Sequence, residues 1–235
     1  MFNPNPSMNR VALSDGRSYV VVDNILRDPM QFIAHAVARR ADFSPEDSHY
    51  YPGPELRLPQ AAHQAFEAFF SQYVRGQLGA RRTRSTLCRM SMVTRKPENL
   101  EPFQRIPHVD GGPFQPGEGN FAMVLYLFKD ERLGGTSFFR PRVDAATLSA
   151  MMARGQHMDR DAFSALIDSA PAYPTRTNAY FEKMASVPAA FNRAVFYDGT
   201  IYHSGDISHP ELLSADPEQG RLTVNAFFGV RLNAC

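Results

Sequence analysis

The chain has 235 residues, of which 43% are hydrophobic and 21% charged. That is enough apolar material to bury a core, and it excludes disorder, collagen and coiled coil. With 25 Lys and Arg against 24 Asp and Glu the net charge is +1, so nothing pulls the chain generally toward nucleic acid or an anionic membrane. Two cysteines, Cys88 and Cys235, cannot build a disulfide framework, which fits a reduced, cytoplasmic protein. The opening MFNPNPSMNR lacks the basic start and apolar stretch of a signal peptide. The longest apolar run, FAMVLYLF at 121–128, is far short of the ~20 residues that span a bilayer.

In chain order, residues 1–10 read as a loose arm and YVVVDNIL (19–26) as a buried strand. Asp28 followed by Pro29 predicts a helix start, with an apolar stripe of Phe32, Ile33, Ala36 and Val37 continuing to about Arg40. Pro52, Gly53, Pro54 and Pro59 make 50–59 a loop. A second helix is expected over 60–78, stopping near Gly76 and Gly79. From residue 83 the period changes to that of a strand, TRSTLCRMSMVTR, and QRIPHVDGG (104–112) contains a further short strand. Strands follow at 120–128 and 135–140, and a helical insertion at about 141–193. AVFYDG (194–199), IYHSGDI (201–207) and RLTVNAFFGVR (221–231) close the chain as strands. Helices followed by many short strands predict an α+β fold with a β-sandwich or barrel core. With no repeat and no linker, 1–235 is expected to be a single domain, its N-terminal part over 1–100 and its β core over 101–235.

The candidate chemistry lies with the histidines. His35 and His63 fall on the two N-terminal helices with no carboxylate at ligand spacing, and His49 sits in a tyrosine-rich loop as a possible substrate contact. Two His-x-Asp triplets occur, His108-Val109-Asp110 and His157-Met158-Asp159. Residues i and i+2 share a face in a strand but diverge by about 200° in a helix. The first triplet is therefore the candidate metal pair and the second, inside the helical insertion, a decoy. Gly111-Gly112 lets the chain turn away after Asp110. For a third ligand the choice is His203, in a strand-like segment followed by small residues, or His209, in a loop before Pro210; His203 is favoured. Two histidines and one carboxylate on one face suit non-haem iron.

Arg221, Thr223 and Asn225 share one face of the last strand, opposite Leu222 and Val224. An inward arginine is costly unless it meets an anion, which a ligand carboxylate supplies as well as an internal Asp does.

Together these residues resemble the Fe(II)/2-oxoglutarate-dependent dioxygenase superfamily, and most closely its prolyl-hydroxylase-like branch. The matching pieces, in order, are HVD at 108–110, LYLFKDERLGGTSFF at 125–139, AVFYDGTIYHSGDI at 194–207 and RLT at 221–223. The resemblance is close over 105–231, extends to 19–40, and is loose over 41–100. It implies a double-stranded β-helix (a jelly-roll, cupin-like core). His108, Asp110 and His203 would be the Fe(II) ligands. Arg221 would grip the distal carboxylate of 2-oxoglutarate, with Thr223 assisting and the Tyr126 hydroxyl on the same group. Asn225 would line the pocket by strand period. It also implies consumption of O2, release of succinate and CO2, and a substrate that is a peptide side chain, amino acid or small metabolite. Halogenases of the superfamily leave the carboxylate position small, so Asp110 points to hydroxylation. Three departures stand out: Phe128 replaces the usual asparagine, the 141–193 insertion is long, and the loop between His203 and Arg221 is wide.

Rival readings are a cupin-like metal protein that does not use 2-oxoglutarate, a binding module that keeps only the fold, and nucleic-acid binding through Arg81, Arg82, Arg84, Arg89 and Arg95. The last lacks the aromatic residues on which bases stack.

Overall fold

A computed structural model of the protein describes residues 1–45 and 51–233, so His49 and Cys235 lie outside the described residues. The strands and helices run in the order β1 (Ser7–Ala12), β2 (Ser18–Asp23), α1 (Met30–Ala38), β3 (Ser44–Pro45), β4 (Pro54–Arg57), α2 (Gln60–Phe69) and β5 (Ala80–Val93). They continue as β6 (Glu118–Tyr126), β7 (Gly135–Pro141), α3 (Ala145–Gly155), α4 (Arg160–Ile167), β8 (Phe181–Val187), β9 (Ala194–Asp198), β10 (Tyr202–Asp206) and β11 (Arg221–Leu232). A large sheet of eight strands has the order β1-β2-β9-β6-β11-β5-β4-β3, and a small one of three has the order β10-β7-β8. Every pairing in both sheets is antiparallel.

Side-chain alternation sorts the large sheet into two faces. Leu222, Val224, Ala226 and Phe228 of β11 join Phe121, Met123 and Leu125 of β6 and Phe196 of β9 in one apolar cluster, which α2 covers with Phe66, Phe69 and Phe70. The opposite parity, including Ala122, Tyr126, Val195 and Tyr197, faces the small sheet and packs with Phe138 and Val187. On the far side of the small sheet, Phe139 and Phe181 pack against Leu148 and Met151 of α3 and Phe163 and Ile167 of α4. Helix, sheet, sheet and helix thus form four layers, with the gap between the sheets at the centre.

Phe228 fixes the outer core: its ring stacks on Phe70 at 4.1 Å between centroids and 10° between planes. Phe228→Ala is expected to cost about 3–5 kcal/mol of stability, read from the midpoint and slope of a urea melt. Cys88 lies in the same cluster, and burial pushes its thiol up to about 12, so it is an inert core residue.

Several expectations need correction. The opening residues are not a loose arm: β1 pairs with β2 along its length and Phe2 bridges Leu26. The 50–59 loop contains β4, which pairs with β5. The 141–193 insertion is not wholly helical, because β8 supplies an edge of the small sheet against β7. The first helix starts at Met30, with Asp28 Oδ1 accepting from the Met30 N–H at 3.1 Å. The second runs unbroken from 60 to 78 through a π-helical turn and a 3₁₀ turn. Among the described residues no helix is long and apolar enough to cross a membrane.

Candidate active site

His108 does not end a strand, as the sequence led us to expect, but sits in an isolated bridge to β10. Its N–H donates to His203 O at 3.0 Å, and its carbonyl accepts the return bond from the His203 N–H at 2.9 Å. Two residues on, the Asp110 N–H donates to Gly199 O at 2.7 Å. Gly111 and Gly112, both at positive φ (77° and 108°), then turn the chain out of this short ladder. The pairing brings the two segments side by side. One ligand atom from each of His108, Asp110 and His203 falls within 4.8 Å of the other two.

The contacts inside this group are those of donors aimed at a common point. Asp110 Oδ2 lies 3.2 Å from His203 Nε2, yet it is buried with no hydrogen bond among the described residues. Asp110 Oδ1 lies 3.8 Å from His108 Nε2. His203 Nδ1 sits 2.8 Å from Ile201 O, so it carries the proton and Nε2 is the ring nitrogen turned to the carboxylate. Burial and the neighbouring His203 charge pull His108 down to about 4, against the opposite effect of Asp110. Burial alone would lower His203, but the Asp110 charge raises it above the ordinary imidazole value. Burial alone would raise Asp110, but His203, His108 and Arg89 hold it below the usual carboxylate range. Two imidazoles and an ionised, underused carboxylate form a donor set that fits a divalent cation such as iron.

A cavity of about 100 Å³ opens beside the three side chains. His108, Asp110, His203, Arg221 and Asn225 all line it, together with Tyr51, Thr136, Tyr173 and Tyr197. Arg221 is 4% exposed and reaches from β11 across to the small sheet. Its Nε donates to Gly134 O at 3.1 Å and its Nη2 to Gly135 O at 2.9 Å. A side chain on either glycine would strike backbone, Asp206 O at Gly134 and Val187 O at Gly135, so this turn stays close-packed between β10 and β8. Phe128, which stands just beyond β6 where the resemblance expects asparagine, lies 5.7 Å from the guanidinium and so has a cation–π role. Among the described residues no carboxylate lies within salt-bridge distance of Arg221.

Two of the seven expected site residues do not line the cavity. Tyr126 is fully buried behind it, its hydroxyl 2.7 Å from Thr136 Oγ1. Thr223 is also buried, its hydroxyl donating to Ser91 O at 3.3 Å. Asn225 does line the cavity, and its Nδ2 donates to Ser91 Oγ at 2.9 Å. A second, wider cavity of about 890 Å³ opens onto His108 and Asp110. Its walls include Leu87, Val109, Phe114, Met152, Tyr202 and Phe227, with Glu55, Arg89 and Asn120.

The other candidates are placed elsewhere. The His157-Met158-Asp159 triplet lies in the turn between α3 and α4 and not within a helix as expected, and Asp159 caps α4, accepting from the Ala162 N–H at 2.8 Å. His209 is exposed and pairs with Glu211. Of the arginines on the nucleic-acid reading, Arg89 donates to Glu55 at 2.6 Å and Arg95 to Gln104 at 3.3 Å, so neither forms part of an open basic face. Tyr51, Thr136, Tyr173 and Tyr197 were missed. Only Thr136 and Tyr197 carried a signal, since each shares the strand parity of a core-facing neighbour.

No curated protein matches the sequence. Among solved structures, a non-haem alpha-ketoglutarate-dependent epimerase, SnoN from nogalamycin biosynthesis, overlaps at 15% identity and TM-score 0.48, over 89% of this chain and 76% of that one. A Pseudomonas putida prolyl-4-hydroxylase overlaps at 10% identity and TM-score 0.43, over 98% and 95%. HygX from Streptomyces hygroscopicus, with nickel and 2-oxoglutarate bound, overlaps at 10% identity and TM-score 0.44, over 91% and 82%. Overlaps this loose decide neither reaction nor substrate. A family model does match, over residues 4–228, and the chain therefore belongs to DUF6445, a family of unknown function.

Proposed function

We propose that the protein is a non-haem Fe(II)- and 2-oxoglutarate-dependent oxygenase of the hydroxylase type, built on a double-stranded β-helix within a single domain. The observation that carries this reading is one cavity holding both a two-histidine, one-carboxylate cluster and a buried arginine that meets no carboxylate among the described residues. An unpaired buried guanidinium is costly, and a ligand carboxylate at that end of the cavity removes the cost. The cluster at the other end would take the metal through His108, Asp110 and His203. When bound, iron supplies the redox chemistry that couples decarboxylation of 2-oxoglutarate to substrate oxidation, giving succinate and CO2.

The chain's own residues orient and exclude. Ile201 O fixes the tautomer of His203, and Gly134 O and Gly135 O hold the guanidinium in place before any ligand arrives. Tyr197, buried beside His203 at 4.6 Å between ring centroids, keeps water from that side of the cluster. The wider cavity would take the oxidisable substrate, a small metabolite, amino acid or peptide side chain. Its largely apolar walls suit a substrate with an apolar body.

The test is oxygen uptake by the protein reconstituted with ferrous ion, with succinate measured in parallel. Uptake that requires 2-oxoglutarate and yields an equivalent of succinate is expected. Uptake that proceeds equally without it would favour the cupin-like alternative.

A further inference from the structure

Tyr51 carries a polar group that the rest of the site leaves unexplained. Its hydroxyl is buried close to the Thr223 and Asn225 side chains and within reach of the Arg221 charge, yet it closes no hydrogen bond of good geometry with any described residue. A buried, unsatisfied hydroxyl in a native fold calls for an explanation, and a missing ligand is a sufficient one. The ring lines both cavities, so Tyr51 stands at the wall they share. Tyr126, the tyrosine that the resemblance assigns to the distal carboxylate, already has Thr136 as its partner at 2.7 Å and does not line the cavity.

We propose that Tyr51, and not Tyr126, is the phenol that donates to the distal carboxylate of 2-oxoglutarate alongside Arg221. This rests on the oxygenase reading above. The phenol holds its proton there, because burial raises its pKa despite the opposing charge of Arg221. It therefore acts as a donor, the role a carboxylate needs. Arg221 uses two of its nitrogens on Gly134 and Gly135, so a carboxylate held at its remaining edge has lone pairs left for a second donor. Tyr51 is a positioning residue in this account and forms no bond to the reacting atoms.

The experiment is calorimetric titration, without oxygen, of the ferrous-loaded protein with 2-oxoglutarate and with 2-oxovalerate, which has a methyl group in place of the distal carboxylate. Tyr51→Phe should weaken 2-oxoglutarate roughly ten- to hundredfold, the range for a hydrogen bond to a charged group. Binding of 2-oxovalerate should not change, and Tyr126→Phe should leave 2-oxoglutarate affinity nearly as it was. The melting temperature of metal-free Tyr51→Phe should match or exceed that of the wild type, since the change removes an unsatisfied hydroxyl. Unchanged 2-oxoglutarate affinity in Tyr51→Phe, equal losses for both acids, or a fall in melting temperature would overturn the assignment. A wild type that takes up ferrous ion but binds no 2-oxoglutarate would overturn the oxygenase reading itself.

Discussion

Asp110→Ala is expected to end turnover, with succinate formation falling by more than about a thousandfold, since even partners one bond removed from a metal cost ten- to hundredfold. The folded chain leaves the carboxylate unsatisfied: Oδ2 is buried close to His203 Nε2 and has no hydrogen bond among the described residues. Removing it takes away the only negative charge in the cluster and leaves two neutral imidazoles, one ligand short of the set and with no charge to balance a dication. The backbone should survive. The Asp110 N–H still donates to Gly199 O, and its carbonyl still accepts from Asn120 Nδ2 at 3.3 Å. The titration of His203 offers a second readout. Burial lowers the His203 pKa and Asp110 is the main group that lifts it, with the Ile201 carbonyl adding a smaller effect, so in the alanine variant the pKa should fall. Ferrous retention in equilibrium dialysis, succinate yield and the imidazole resonances of the metal-free protein check the three parts. Turnover retained in Asp110→Ala, or in His108→Ala or His203→Ala, would show that the cluster is not the reactive centre.

Arg221→Met should produce the second large effect, confined to the cosubstrate. Leaving one partner of a buried ion pair uncompensated costs about 3–5 kcal/mol, so KM for 2-oxoglutarate should rise roughly a hundred- to several-thousandfold. Preference for 2-oxoglutarate over 2-oxovalerate should collapse with it, because the distal carboxylate no longer has a counter-charge. Ferrous binding should hold, since Arg221 contributes no donor atom to the cluster. Arg221→Lys should rescue only in part: one ammonium cannot serve two carbonyls and a carboxylate with the fixed fork of a guanidinium. Steady-state kinetics with the two oxo acids separates these outcomes, and an unchanged KM in Arg221→Met would remove the support for a 2-oxoglutarate site.

What the sequence revealed follows from where each signal was local. The parity of β11 was legible because alternation over Leu222, Val224, Ala226 and Phe228 is long and unbroken, and it put Arg221 and Asn225 on the cavity side. The choice between the two His-x-Asp triplets rested on strand-like against helical spacing, and neither premise holds, since His108 sits in an isolated bridge and residues 157–159 in the turn between α3 and α4. β1, β4 and β8 escaped notice because their own residues hardly ask to be strands. SMNRVA is polar, PELR is short and opens on proline, and FEKMASV is made largely of helix formers. Each is a strand because a partner pairs with it, and tertiary context overrides such weak preferences. Tyr51 was invisible for another reason. It lies in a proline-rich segment, and only the pairing of β4 with β5 and of β5 with β11 brings it beside residues more than 150 positions away.

The path of Arg221 from one sheet to the carbonyls of the other gives that side chain a second employment, as a tie beam between layers. Under the proposed function two separate demands hold the position: grip on a small acid and cohesion of the two sheets. A descendant of this chain that abandoned the cosubstrate would still be penalised for discarding its arginine, whereas nothing architectural would protect the Asp110 carboxylate. Within such a lineage, loss of chemistry should therefore be written first at position 110 and last at 221.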